Sequence, residues 1–252
     1  MTSPVQDPWG SLRQYTRARI GLPRTGDSIA GSEVRALQAA HASARRAVHA
    51  SLDPARLNLE CPAIEVRSQA TDRSEFVRRP DFGRRLDTPS ITRLKHAAQD
   101  GPWDLALVAA DGLSAFAVER QAIPLQSAIH TALDQTWRMS PLIIAHNARV
   151  ALGDEIGELL GATCVVMMIG ERPGLSVSDS LSLYMTWNPK VGRQDSERNC
   201  ISNIHAHGLS IGEACHKLCW LLDAARRLGR TGVSLKDEST DMKILPQQKS
   251  IP

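Results

Sequence analysis

Apolar residues follow two rhythms along this chain, and the change between them divides it. The opening stretch DPWGSLRQYTRARIGL (7–22) sets Leu12, Tyr15 and Arg19 along one side and predicts a short helix, ended by a loop around Pro23, Gly26 and Gly31. A second helix is predicted from Ser32 as N-cap, with Val34, Leu37, His41, Ala44 and Val48 as a buried stripe and His41 as a partly buried structural histidine; it stops before Pro54. Two such helices cannot enclose a core. Residues 7–62 are therefore expected to be a small helical module docked on the remainder or on another subunit.

From about residue 63 strands alternate with helices. DLALVAA (104–110) is almost continuously apolar, as a strand covered on both faces must be, and leads through DGLSA (111–115) into a helix that Pro124 should break or kink. PLIIA (141–145) is the next strand, HNAR turns, and GDEIGELLGA forms a short helix with acids in its first turn, where the helix dipole favours them. CVVMMIG (164–170) and LSLYMTW (181–187) are further strands. The last helix opens on Ser210 and Glu213 as a capping box and turns Ile211, Cys215, Leu218 and Leu222 inward. This order predicts an α/β fold: a Rossmann-like, mostly parallel sheet covered by helices over 63–236, preceded by the small N-terminal helical module, with ligands at the carboxyl ends of its strands. The polar end, 237–252, is expected to be a mobile tail.

Composition narrows the class. Apolar residues at 42%, charged residues at 23% and a mean hydropathy of −0.23 are those of a soluble globular protein of 252 residues. The longest apolar run, CVVMMI, is far short of the ~20 residues a membrane-spanning helix needs. The N-terminus lacks a basic stretch followed by an apolar one, so export is not expected, and five cysteines fit free thiols in a reducing cytoplasm. Residues 1–95 hold 16 Lys/Arg against 10 Asp/Glu, yet interspersed acids dilute this basic third and only ten residues are aromatic, so no nucleic-acid partner is expected.

Candidate chemistry is sparse. No G-x-G-x-x-G, Walker loop, G-x-S-x-G or H-E-x-x-H occurs. Cys200, His205, His207, Cys215 and Cys219 could in principle hold zinc, but Cys215 and Cys219 lie one turn apart on an inward helical stripe, which favours core packing and no metal site. Asp154, Glu155 and Glu158 could serve acid/base work; dipole complement plus a solvated face is the favoured reading. Arg78, Arg79, Arg84 and Arg85 could bind phosphate, but salt bridges to Asp81 and Asp87, in a structural or interface role, are preferred. Glu171 differs: it stands at a strand's carboxyl end before the stiff Arg172-Pro173-Gly174, where an α/β sheet places ligand contacts.

Seven segments in order carry a family resemblance: DPWGSLRQYTRARIGL, LQAAHASARRAVH (37–49), VRRPDFGRRL, DGLSAFAV, RVALGDEIGELLGA (149–162), IGERPGL and ERNCISNI (197–204). Together, over about 7–237, they resemble the small (light) subunit of ethanolamine ammonia-lyase. The resemblance implies a subunit of an adenosylcobalamin-dependent carbon–nitrogen lyase that converts ethanolamine to acetaldehyde and ammonia by radical chemistry. It implies a large-subunit partner, six large plus six small chains, with the substrate site and the catalytic residues on the large subunit, so that this chain is inactive alone. Cobalamin contacts carry over onto Val150, Glu171 and Cys200 as an apolar contact, an acceptor for amide or ribose donors, and a close backbone approach. The three are expected to follow three separate strands. Because the chain lacks a D-x-H-x-x-G stretch, base-on cobalamin is expected. The family implies the cytoplasm or a bacterial microcompartment, and the six residues before Asp7, shorter than many members' extension, favour free cytoplasm. The alternative from another class is a free-standing Rossmann-like nucleotide- or anion-binding module, which the basic N-terminal third would suit.

Overall fold

A computed structural model describes residues 9–59, 61–133 and 135–239. The chain opens with α1 (Gly10–Arg13), a two-stranded ribbon of β1 (Arg24–Thr25) and β2 (Ser28–Ile29), and α2 (Gly31–His49). Then come β3 (Ile64–Arg67), α3 (Arg73–Arg78), α4 (Thr88–Ala97), β4 (Trp103–Ala110), α5 (Ala115–Ala132), β5 (Ile143–His146), α6 (Leu152–Leu160), β6 (Ala162–Gly170), β7 (Leu181–Trp187), β8 (Asn199–Ile204) and α7 (Ile211–Leu228).

Strands β3 to β8 form one six-stranded sheet in the order β3-β5-β4-β6-β7-β8. The first three pairings are parallel; β6–β7 and β7–β8 are antiparallel. Helices cover both faces, as the predicted α/β class requires. On one, Val118, Leu125 and Ile129 of α5 and Leu218, Leu221 and Leu222 of α7 meet the inward residues of β4, β6, β7 and β8. On the other, Leu94 of α4 and Leu152, Ile156 and Leu160 of α6 meet Val108, Val165 and Met167. The alternation in β6 between Cys164, Val166, Met168 and Val165, Met167, Ile169 supplies the two cores at once.

The sheet is mostly parallel, as expected, but its strand order is not that of a dinucleotide-binding fold. A dinucleotide-binding sheet runs 3-2-1-4-5-6, whereas here β5 separates β3 from β4 and the last two strands run antiparallel. The residues between Gly170 and Leu181 are too few for a crossover of a dozen or more, so β7 must turn back on β6. Helix α5 is assigned unbroken across Pro124, held by the burial of Ala122, Leu125 and Ile129 on either side.

The N-terminal segment also differs. The predicted 7–22 helix shrinks to α1, because Arg13 donates to the carbonyls of Ile20, at 3.1 Å, and Gly21, folding the chain back. Helix α2 forms, but Ala30 is its N-cap rather than Ser32. Of its residues only Ala47 is buried; of the expected stripe Leu37, Ala44 and Val48 are half-buried, and Val34 and His41 are exposed. At the other end, the capping box of Ser210 and Glu213 is present. Residues 237–239 of the expected tail pack on α7, where Lys217 Nζ lies 2.8 Å from Asp237 Oδ2, and 240–252 lie outside the described residues.

Candidate functional site

A cavity of about 330 Å³ opens at the carboxyl ends of β4, β5 and β6. Its walls are Gly112 and Leu113 after β4, Ala148, Arg149 and Val150 after β5, and Ile169 to Arg172 at the end of β6; Ser182 and Tyr184 of β7 and Ser202 of β8 form its floor. The floor is polar for a reason of period. Leu181, Leu183 and Met185 turn into the α5–α7 core, so Ser182 and Tyr184 must face the other way, where Tyr184 packs against the α4–α6 core. Ile201 turns into the same core and sends Cys200 and Ser202 to that side, and an irregularity in the β7–β8 pairing brings Ile204 back to the core.

Asp111 builds the upper wall. At the end of β4, buried, it accepts from the N–H groups of Asn147 (2.8 Å) and Ala148 (3.1 Å), fixing the turn that carries Arg149 and Val150. Arg73 lies 3.3 Å from it, and burial pushes the carboxyl up against the pull of that guanidinium. Beside it the loop after β4 touches β6 backbone to backbone. A Cβ at Gly170 would stand 2.0 Å from the Ser114 carbonyl oxygen, and Gly112, at φ +52°, would place one 2.3 Å from the Gly170 oxygen. Only glycine fits both positions.

Glu171 is held at the mouth. Its Oε1 accepts from Ser182 Oγ (2.5 Å) and from the N–H of Asn203 (2.8 Å), joining β6 to β7 and β8, while Oε2 has no protein partner among the described residues. Val150 shares this cavity. Cys200 does not: it lines an adjoining recess of about 470 Å³, with Ser202 common to both. Nor does Cys200 follow a strand, as expected; it lies within β8, opposite Tyr184, because NCISNI pairs with β7. Burial pushes its thiol up, hydrogen bonds from Tyr184 and Ser182 pull it down, and the Glu171 carboxylate adds to the upward push. Burial, with Cys200 and Glu171 nearby, pushes the Tyr184 phenol up to about 12. Tyr184 escaped the sequence reading, although the alternation in LSLYMTW could have placed Ser182 and Tyr184 on one face.

The charged groups need correction. Asp154 and Glu155 are buried, not solvated: Asp154 forms a two-pronged pair with Arg198 (2.5 and 2.7 Å), and Glu155 accepts from the N–H of Leu86 (2.8 Å). Arg79 pairs with Asp81 as expected, but Asp87 caps α4 through Ser90, and Arg85 pairs with Glu155. Cys215 and Cys219 (Sγ–Sγ 4.0 Å) pack on the α5–α7 side of the sheet, opposite Cys200, while His205 bonds to Asn203. No group of three or more His, Cys, Asp or Glu suited to a metal ion occurs among the described residues. Among them, too, no helix is long and apolar enough to cross a membrane.

Comparison with known proteins adds a further line. The family described as ethanolamine ammonia-lyase light chain (EutC) matches residues 6–236. A protein named ethanolamine ammonia-lyase small subunit from Pseudomonas aeruginosa (strain LESB58) is 49% identical over 243 residues, covering 93% of this chain and 89% of its own length. A protein of the same name from Ralstonia nicotianae is 48% identical over 249 residues, covering 96% and 92%. One from Azotobacter vinelandii is 48% identical over 243 residues, covering 93% and 90%.

Proposed function

This chain belongs to the ethanolamine ammonia-lyase light-chain family, and from that premise we propose that it helps a large subunit enclose adenosylcobalamin, with Val150, Glu171 and Cys200 among its cofactor contacts. The observation that carries the reading is the cavity at the strand ends, which joins the apolar faces of Leu113, Val150 and Ile169 to a carboxylate oxygen without a protein partner. A corrin is a broad apolar ring fringed by amides, and that lining suits it: Val150 would supply an apolar contact and Glu171 would accept from an amide or ribose donor. Sites for drug-sized ligands run to roughly 300–1,000 Å³; a recess of about 330 Å³ takes one edge of so large a cofactor and leaves the rest to the partner. Cys200 contributes from the neighbouring recess.

When bound, base-on adenosylcobalamin supplies the radical chemistry of ethanolamine deamination. This chain binds, orients and excludes water, and the large subunit holds the substrate and the catalytic residues. The uncovered face of α2 and the basic N-terminal third are subunit interface, which assigns 7–62 to assembly and 63–236 to the cofactor, in a complex of six large and six small chains in the cytoplasm or a microcompartment.

The test is Glu171→Ala in the co-expressed complex. Losing a charged acceptor should weaken adenosylcobalamin binding about tenfold or more, with turnover at saturating cofactor little changed. Unchanged affinity with collapsed turnover would contradict the positional role.

A further inference from the structure

Three guanidinium groups without a carboxylate partner gather on the ridge between two cavities. Arg149 lines both the cavity of Glu171 and a second one of about 490 Å³; Arg172 lines the first and Arg84 the second. The arginines around them are committed elsewhere: Arg73 to Asp111, Arg79 to Asp81, Arg85 to Glu155, Arg193 to Glu197 and Arg198 to Asp154. Neither Arg84 nor Arg172 has a side-chain hydrogen bond or ion pair among the described residues. Arg149 donates once, to the Phe76 carbonyl at 3.1 Å, rests on the Phe76 ring at 4.3 Å, and keeps Nε buried without an acceptor. Burial, and then repulsion from Arg73, Arg84 and Arg172, draw its pKa down.

Like charges gathered this way cost free energy until an anion joins them. The ridge adds donors of the same polarity, since the N–H groups of Val150 and Ala151, at the start of the nine-residue α6, have no backbone acceptor among the described residues. The opposing charges are Asp111, which draws the Arg149 pKa up but is paired with Arg73; Glu171, tied to Ser182 and Asn203; and Asp195, 3.5 Å from Arg198 Nε. Guanidinium forks match phosphate oxygens in pairs. We propose that Arg84, Arg149 and Arg172, with the N–H groups of Val150 and Ala151, form a binding site for a phosphate-class anion. Two sources share that chemistry. One is the phosphodiester in the nucleotide tail of cobalamin, in which case the inference rests on the cofactor reading above; the other is free phosphate.

The complex with the large subunit is titrated with adenosylcobalamin, with dicyanocobinamide, which lacks the tail and its phosphate, and with inorganic phosphate. Absorbance reads the corrinoids and calorimetry reads the phosphate. Arg84→Met and Arg172→Met should each weaken adenosylcobalamin about tenfold and leave cobinamide unchanged. Loss of phosphate binding with cobalamin affinity intact also upholds the site and assigns it to free phosphate. Wild-type behaviour of both variants toward cobalamin and phosphate overturns it, as does equal weakening of cobalamin and cobinamide. Arg149→Met is a third variant, but its packing on Phe76 puts its folding at risk, so the two exposed arginines decide. If the wild-type complex binds no cobalamin, the cofactor reading falls and the phosphate arm alone judges the site.

Discussion

At the scale of single residues, function rests on polar groups whose partners come from distant parts of the chain. Glu171 could be found from sequence, because a strand end followed by a stiff turn is local information. Tyr184 could be placed from sequence only on the face of Ser182, by the alternation in LSLYMTW, since its surroundings depend on which strands flank β7. Its phenol also gives a pH signature. With its pKa raised from 10 to about 12, the folded protein keeps a proton that the unfolded chain has lost. That contribution to stability is complete below pH 10 and is lost as pH rises through the folded value. Tyr184→Phe removes the titration, so urea midpoints of the variant should fall less steeply than those of the wild type above pH 10; parallel curves would refute the assignment.

At the scale of elements, the long buried strands β4 and β6 and the capped helix α7 were legible, because apolar runs and capping boxes are written in adjacent residues. β3 and β8 were not: they are short, and IEVR and NCISNI show mixed burial. The reversal at β7 was recoverable only by counting the link before it. Asp154 misled for a related reason. An acid in a helix's first turn suits the dipole, and only the tertiary fold reveals Arg198 against it, with Thr186, the Arg193 carbonyl and, at 3.5 Å, Asp195 also around the arginine. This pair clasps α6 to β7 and to the approach to β8. Asp154→Ala strips a buried guanidinium of its two-pronged partner and should cost about 3–5 kcal/mol, read as a lower urea midpoint of the complex. Asp154→Leu combined with Arg198→Met, which removes both charges, should recover most of the loss, and failure to recover would show that packing rather than charge is at issue.

At the scale of the whole molecule, the proposed function requires that the described chain be completed by a partner. Its sheet is covered on both faces, yet α2 buries only Ala47 and the cavity at the strand ends is open and small. Helical spacing predicted the stripe on α2; among the described residues that stripe is at most half-buried, and His41, expected to be partly buried, stands exposed. The proposed interface and the proposed cofactor cavity thus make one claim, that the chain works only as part of a larger assembly around cobalamin. The measurement that tests it most directly is co-expression with the large subunit in the presence of adenosylcobalamin, followed by size-exclusion chromatography with light scattering and corrinoid absorbance. The account predicts a mixed oligomer that keeps the cofactor through the column. A small subunit that elutes as a stable monomer of 27.5 kDa, apart from the large subunit and the corrinoid, would contradict it.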